Sequence, residues 1–299
     1  MKKVILFLAI FSVLAFSAPS SAMTITAFDS AGNLAQSLAG TGIAISNVSY
    51  NGASAASGYF AGGTAAGIGI DKGIVLTTGL ASNLHGASNT SDSITGSHNT
   101  AGDADLSKLI SNKTTYDAAV LEFDFKISET ATAAYFNYVF GSEEYNEWAK
   151  STYNDVFGFF VNEVNSVNKV NYALIPGTST PVSISSVNKW TNQGFFNNND
   201  LTDYPSPILP YPFEYDGFTD VFTASLTDLD PQKTYHIKLA IADVGDSTLD
   251  SGVFLQAASF SNSSVSSVSS VPEPAITVLL ASSLLGLAGF RFRMKYRTK

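Results

Sequence analysis

The chain predicts an all-β fold, an antiparallel β-sandwich or jelly roll. Three observations carry this: many short apolar runs of period two, turn residues between them, and no long amphipathic helix in the body. The ends differ from the body, with an N-terminal signal helix expected over 1–22 and a C-terminal transmembrane helix over 275–290. Between them, 23–260 reads as one domain, followed by a Ser-rich linker over 261–270.

Lys2 and Lys3 precede an apolar run from Val4 to Phe16, and Ser20, Ser21 and Ala22 follow, the three-part layout of a secretory signal peptide. The alternative, an uncleaved anchor, needs a longer apolar run. Exported chains commonly carry disulfides, but this one has no cysteine, which excludes disulfide and thiolate chemistry. From Met23 to Val271 nine lysines and no arginine face 24 acidic residues, a net charge of −15. Such a body repels phosphate backbones, so no nucleic-acid partner is expected.

In order, Asn33 to Leu38 suits a brief helix, and the runs Ile43 to Val48 and Ile68 to Thr77 suit short strands with turns at Asn51-Gly52 and Asp71-Lys72-Gly73. Asn83 to Asp105 reads as a polar loop. It holds His85, His98, Asp92, Asp103 and Asp105, at spacings that match no transition-metal pattern. Ala119 to Ile127 alternates with one wet and one buried face. Phe136 to Phe140 alternates too, and Val156 to Val161 reads as a fully buried strand. Tyr172 to Ile175 and Val182 to Val187 suit further strands, and Asn188 to Tyr215 a long aromatic loop. Tyr235 to Ala242 is the clearest half-buried strand, and Val253 opens a last one through Phe260.

Carboxylates gather in the connections. Glu143, Glu144, Glu147 and Asp155 lie between two apolar runs, Asp243, Asp246 and Asp250 in one Gly- and Ser-bearing loop, and Asp216 in the turn Glu214-Tyr-Asp-Gly217. Like charges held together need a cation, protons or full hydration. Glu143, Glu144, Asp155, Asp216, Asp243, Asp246 and Asp250 are therefore candidate ligands for a hard cation such as calcium, provided the fold brings strand ends together; hydrogen bonding to backbone and hydroxyl donors is the competing use. The spacing Asp243-x-x-Asp246 is not that of an EF-hand. Trp148 and Trp190 are candidate stacking faces for a sugar ring, which makes an exopolysaccharide or surface glycan a candidate partner. A secreted glycoside hydrolase has only the paired carboxylates in its favour: HExxH and GxSxG are missing and the three histidines stand apart.

The C-terminus runs Pro272-Glu273-Pro274, the sixteen apolar or small residues Ala275 to Phe290, then Arg291, Arg293, Lys295, Arg297 and Lys299. As a helix the apolar run reaches about 24 Å, just short of a hydrocarbon core of about 30 Å. The basic end would stay cytoplasmic. This tail resembles the PEP-CTERM sorting signal of Gram-negative bacteria. The resemblance implies export through the inner membrane, anchoring by the C-terminal helix, and recognition and cutting near the PEP motif by an exosortase-type processing enzyme. An unprocessed anchor is the alternative.

The body carries its own resemblance. DKGIVLTTG (Asp71 to Gly79), FGSEEYNEW, YNDVFGFFV and YHIKLAIADVGDSTLDSGVFLQAASF occur in the order found in the choice-of-anchor L domain, over most of Leu34 to Phe260. Members often have Pro after the SEEY tyrosine, where this chain has Asn146. The resemblance implies a bacterial surface domain and supplies no activity. Together these readings describe a non-enzymatic exported cell-surface or exopolysaccharide-matrix protein, with calcium at strand-end loops as its candidate cofactor.

Overall fold

A computed structural model describes residues 23–86, 88–200, 202–203 and 211–264. The signal segment, Tyr204, positions 265–270 of the linker and the whole sorting tail with its helix lie outside the described residues. No helix of the described residues is long and apolar enough to cross a membrane.

Every strand pairing is antiparallel, and the strands form two sheets. The eight-stranded sheet runs β1 (Thr24–Ala27), β3 (Ser57–Ala61), β4 (Lys72–Thr77), β13 (Ser251–Gln256), β6 (Ala134–Ser142), β10 (Gly217–Thr219) and β9 (Phe196–Asn198), with β11 (Phe222–Leu226) also on β6. The five-stranded sheet runs β2 (Ile43–Asn51), β5 (Thr115–Ile127), β12 (Tyr235–Val244), β7 (Val156–Glu163) and β8 (Val170–Asn171). The result is a two-sheet sandwich, with more strands, unevenly divided, than the eight of a jelly roll.

Period-two alternation explains how the sheets face each other. Phe136, Tyr138 and Phe140 of β6 and Val253 and Leu255 of β13 point into one interior with Phe123 and Phe125 of β5, Phe157 and Phe159 of β7, and Ile237, Leu239 and Ile241 of β12. The intervening residues are not all wet. Val139, Phe254 and Val75 build a second cluster outside the larger sheet with Ile68, Ile70, Phe213, Tyr215 and Phe218. Outside the smaller sheet, Val120, Phe160, Ala240 and Ala242 meet Leu106 of α2 (Ala104–Leu109).

Several expectations change accordingly. Tyr235 to Ala242 is a strand, but α2 dries its outer face, where Lys238 is buried and pairs with Asp103 and, at 3.0 Å, Asp105. Tyr172 to Ile175 and Val182 to Val187 make isolated bridges only, at Leu174 and Ser183, because their buried residues close one end of the interior as an irregular cap. The expected strand from Ile68 begins at Lys72, since Ile68 and Ile70 fold over the outer cluster. The last strand ends at Gln256, and Phe260 enters the interior from the loop beyond it. The short helix is present as α1 (Ala31–Leu38), capped by the Ser30 hydroxyl, which accepts the Asn33 N–H at 3.2 Å.

A register shift between Ile241 and Asp243 leaves an extra residue on β5, where Asp117 adopts φ 46° and aims its carboxylate at the 83–103 loop. It accepts the His98 and Thr100 N–H groups at 2.9 and 2.6 Å and the Ser97 and Thr100 hydroxyls at 3.0 and 3.2 Å. Burial acts to raise its pKa, but these donors outweigh it and hold it below the usual value. Asp117→Ala should therefore cost about 2–3 kcal/mol of stability in urea unfolding and speed hydrogen exchange at the His98 and Thr100 amides. Unchanged exchange there would remove Asp117 as the anchor of this loop.

Candidate functional site at the acidic end of the sandwich

Five strands of the two sheets end or begin together at one edge of the sandwich. Ser142 closes β6 opposite Ser251, which opens β13; Thr77 closes β4 opposite Gly252; Val156 opens β7 opposite Ala242, near the end of β12. The carboxylates lie in the residues just beyond, except Asp243, which stands in β12 itself opposite Tyr116. Alternation along β6 sends Phe140 and Ser142 inward and Val139 outward, and carried past the strand it separates the two adjacent glutamates. Glu144 faces Asp155 and Asp246, while Glu143 faces Asp216, Glu214 and Asp250.

The inner group is Glu144, Asp155 and Asp243, all buried. Asp155 is held firmly: Oδ1 accepts the Val244 N–H at 2.8 Å and Oδ2 the Ser251 hydroxyl at 2.7 Å, which also reaches the Ser142 hydroxyl at 2.8 Å. By contrast, neither oxygen of Asp243 has a well-formed hydrogen bond, although Thr78 lies near enough to oppose its upward shift, and Oε2 of Glu144 has no partner. Burial, followed by the Asp155 charge, pushes both carboxyls far above the usual range. Asp246 sits at the rim, where Oδ1 accepts the Thr248 N–H and hydroxyl at 3.1 and 2.9 Å.

The outer group is Glu143, Asp250 and Asp216. Both oxygens of Glu143 are buried without a well-formed hydrogen bond, and burial followed by Asp216, Glu214 and Asp250 pushes its pKa up to about 11 against the weak pull of the Ile94 N–H. Asp250 accepts the Gly96 N–H at 3.1 Å; burial raises it to about 6, with that amide and His98 holding it back. Asp216 accepts Asn89 Nδ2 at 2.6 Å on Oδ1, has no partner on Oδ2, and is raised to about 8 by burial and the charges of Asp200, Glu147 and Asp92.

A third group is assembled only by folding. One oxygen each of Glu147, Asp200 and Asp203 lies within 4.8 Å of the others, the only such trio of acidic or histidine side chains among the described residues. It joins the FGSEEYNEW connection to the segment after β9. Asn199 fixes that segment, donating to the Phe213 and Tyr215 carbonyls at 2.9 Å and accepting the Tyr211 N–H at 2.6 Å. The one signal in the chain is the oxygen-rich run Asn197-Asn198-Asn199-Asp200 with Asp203 three residues on. Chain order does not single it out, because only folding places it beside Glu147. A cavity of about 170 Å³ opens next to Asp200, lined also by Asn89, Asp92, Thr202 and Asp216.

The remaining candidates disperse. His98 Nε2 lies 2.8 Å from the Gly79 carbonyl, and Asp103 caps α2, accepting the Asp105 and Leu106 N–H groups at 3.0 and 3.1 Å. Trp148 is 40% exposed, edge-on to Tyr153. Trp190 is 49% exposed, but the Lys150 and Lys189 ammonium groups sit 4.3 and 4.6 Å from its ring centre, where a sugar would stack. Phe195, Phe196 and Tyr211 pack on the two clusters. Pro272, Glu273, Pro274, Arg291 and Arg293 lie outside the described residues.

No curated protein and no solved structure matches the chain. One family model does, over residues 24–261, from the first strand to just past Phe260, and it covers the sandwich with its acidic end: the chain belongs to the choice-of-anchor L domain family.

Proposed function

We propose that this is an exported matrix or cell-surface protein whose acidic end binds calcium, delivered by the signal segment at 1–22 and sorted by the tail at 271–299. Family membership supports a surface-associated, non-catalytic role. The observation that carries the cation reading is the set of buried carboxylate oxygens without well-formed hydrogen bonds, on Glu144 and Asp243 in the inner group and Glu143 and Asp216 in the outer. Buried carboxylates left unmatched are costly unless they hold protons or a cation. Calcium takes six to eight oxygens from carboxylates, carbonyls, hydroxyls and water, in flexible geometry. Glu144 and Asp243 offer that chemistry as a pair, with the Ser142 and Ser251 hydroxyls nearby and water to complete the shell, while Asp155 is committed to the Val244 N–H and the Ser251 hydroxyl. Outside the membrane calcium is abundant, and exopolysaccharide is a partner that Trp148 suits through its exposed ring.

Titration calorimetry of the purified protein against calcium, after exhaustive chelation, tests the site. Saturable binding that weakens at least tenfold in both Asp243→Asn and Glu144→Gln is expected. Binding of wild-type strength in both variants, or no saturable heat at all, would dispose of calcium at the inner group.

A further inference from the structure

We propose a second, separate hard-cation site formed by Glu147, Asp200 and Asp203, with water supplied from the adjoining cavity that Asp200, alone of the three, lines. Calcium–oxygen bonds of about 2.4 Å allow oxygens of one shell up to about 4.8 Å apart, and the trio lies within that reach. Carboxylate and amide oxygens offered from loops, with room for water, suit calcium's larger and more flexible shell better than magnesium's strict octahedron.

An acidic cluster alone would not carry this, but two buried side chains point to a ligand independently. Asp200 is fully buried; Oδ1 accepts both the Thr202 N–H and hydroxyl at 2.7 Å, while Oδ2 has no partner and remains for a cation. Asn146, beside Glu147 and 1% exposed, donates its Nδ2 to Asp203 Oδ2 at 2.7 Å and to Asn198 Oδ1 at 3.0 Å and leaves its own Oδ1 without a partner. The charge balance agrees. Within the trio three carboxylates face one ammonium, Lys189, whose Nζ lies 2.6 Å from Asp203, which leaves two negative charges, and Asp216 and Asp92 on the cavity wall add to that negative field. Lys189 Nζ reaches both Asp203 oxygens, at 2.6 and 2.8 Å, and Asn198 Nδ2 adds a donor to Oδ2 at 3.3 Å, so Asp203 is the most screened of the three carboxylates and would share its oxygens between these donors and the cation.

This inference shares no ligand with the inner group and does not depend on it. Terbium, a calcium mimic excited through tryptophan, provides the test, because Trp148 adjoins Glu147 and Trp190 adjoins Lys189. With the full-length chain in detergent, sensitised terbium emission is expected to saturate and to be displaced by calcium but not by equimolar magnesium. Asp200→Asn, which keeps the Oδ1 contacts, and Glu147→Gln, at an exposed position, should each weaken it at least tenfold with an unchanged circular dichroism spectrum. Asp243→Asn should leave it in place. Emission of wild-type affinity in Asp200→Asn and Glu147→Gln, no saturable emission, or equal displacement by magnesium overturns the site. Emission lost only in Asp243→Asn overturns it while leaving the inner-group reading standing. The reverse pattern supports the second site even if calorimetry removes the first.

Discussion

Phe136→Ala should lower the free energy of unfolding by about 3–5 kcal/mol, among the larger losses expected for one substitution. Its ring is fully buried, 5.2 Å from Phe159 of the opposite sheet and 5.6 Å from Phe260. Phe260 in turn packs 4.8 Å from Phe125 and 6.0 Å from Phe123, so one ring sits where β6, the smaller sheet and the C-terminal return of the chain converge. Truncation removes both aromatic contacts, and the paired strands around them keep the gap from collapsing. Urea unfolding measures the loss, with Tyr116→Ala, at 37% exposure, as a reference expected to change stability by about 0.5 kcal/mol or less. A loss below about 1 kcal/mol for Phe136→Ala would mean that the sheets are not held together through this contact.

In the presence of a chelator the protein should lose stability as pH rises from 5 to 8, the opposite of ordinary acid denaturation. Asp216 is raised to about 8 and Asp250 to about 6 by burial, against about 3.9 for aspartate in an unfolded chain. A carboxyl raised by folding binds more protons folded than unfolded. Its contribution is fully present below the unfolded value and is lost as pH climbs through the folded one. The window therefore opens near pH 4 and closes near 6 for Asp250 and 8 for Asp216, and Glu143, raised to about 11, extends the slope further. A tenfold change in proton affinity is worth about 1.4 kcal/mol, so the fall is on the order of several kcal/mol. Asp117 and Asp105 run the other way, held below their usual values by hydrogen bonds and, for Asp105, by Lys169, Lys238 and Lys108; their contribution is lost only in acid. Calcium should reverse the slope, because it binds the deprotonated form and adds about 2.7 kcal/mol at a hundred times its Kd. Unfolding at pH 5, 6.5 and 8, with chelator and with calcium, reads this directly, and Asp216→Asn should flatten the chelator profile. A flat wild-type profile in chelator would show that these carboxyls are not buried as described.

Secondary structure was legible where burial follows a simple period. Phe136, Tyr138 and Phe140, and Tyr235, Ile237, Leu239 and Ile241, alternate in sequence and point into the interior together. The reading faltered where an outer face is also covered. Ala240 and Ala242 look indifferent in sequence, and only α2 packing on them makes β12 dry on both sides. Val182 and Ile184 look like strand residues, but they bury their side chains without a partner strand to extend.

By itself the sequence determined an acidic, thiol-free, strand-built body between an export-like start and a sorting-like tail, because composition and period two are local properties of the chain. Tertiary structure alone decided which carboxylates share a neighbourhood. Glu143 and Glu144 are adjacent in the chain yet face different groups, while Glu147 and Asp200, 53 positions apart, meet. Strand alternation separates neighbours and antiparallel return unites distant residues, so the chemistry of this end is set by pairing register, which no stretch of the chain carries alone.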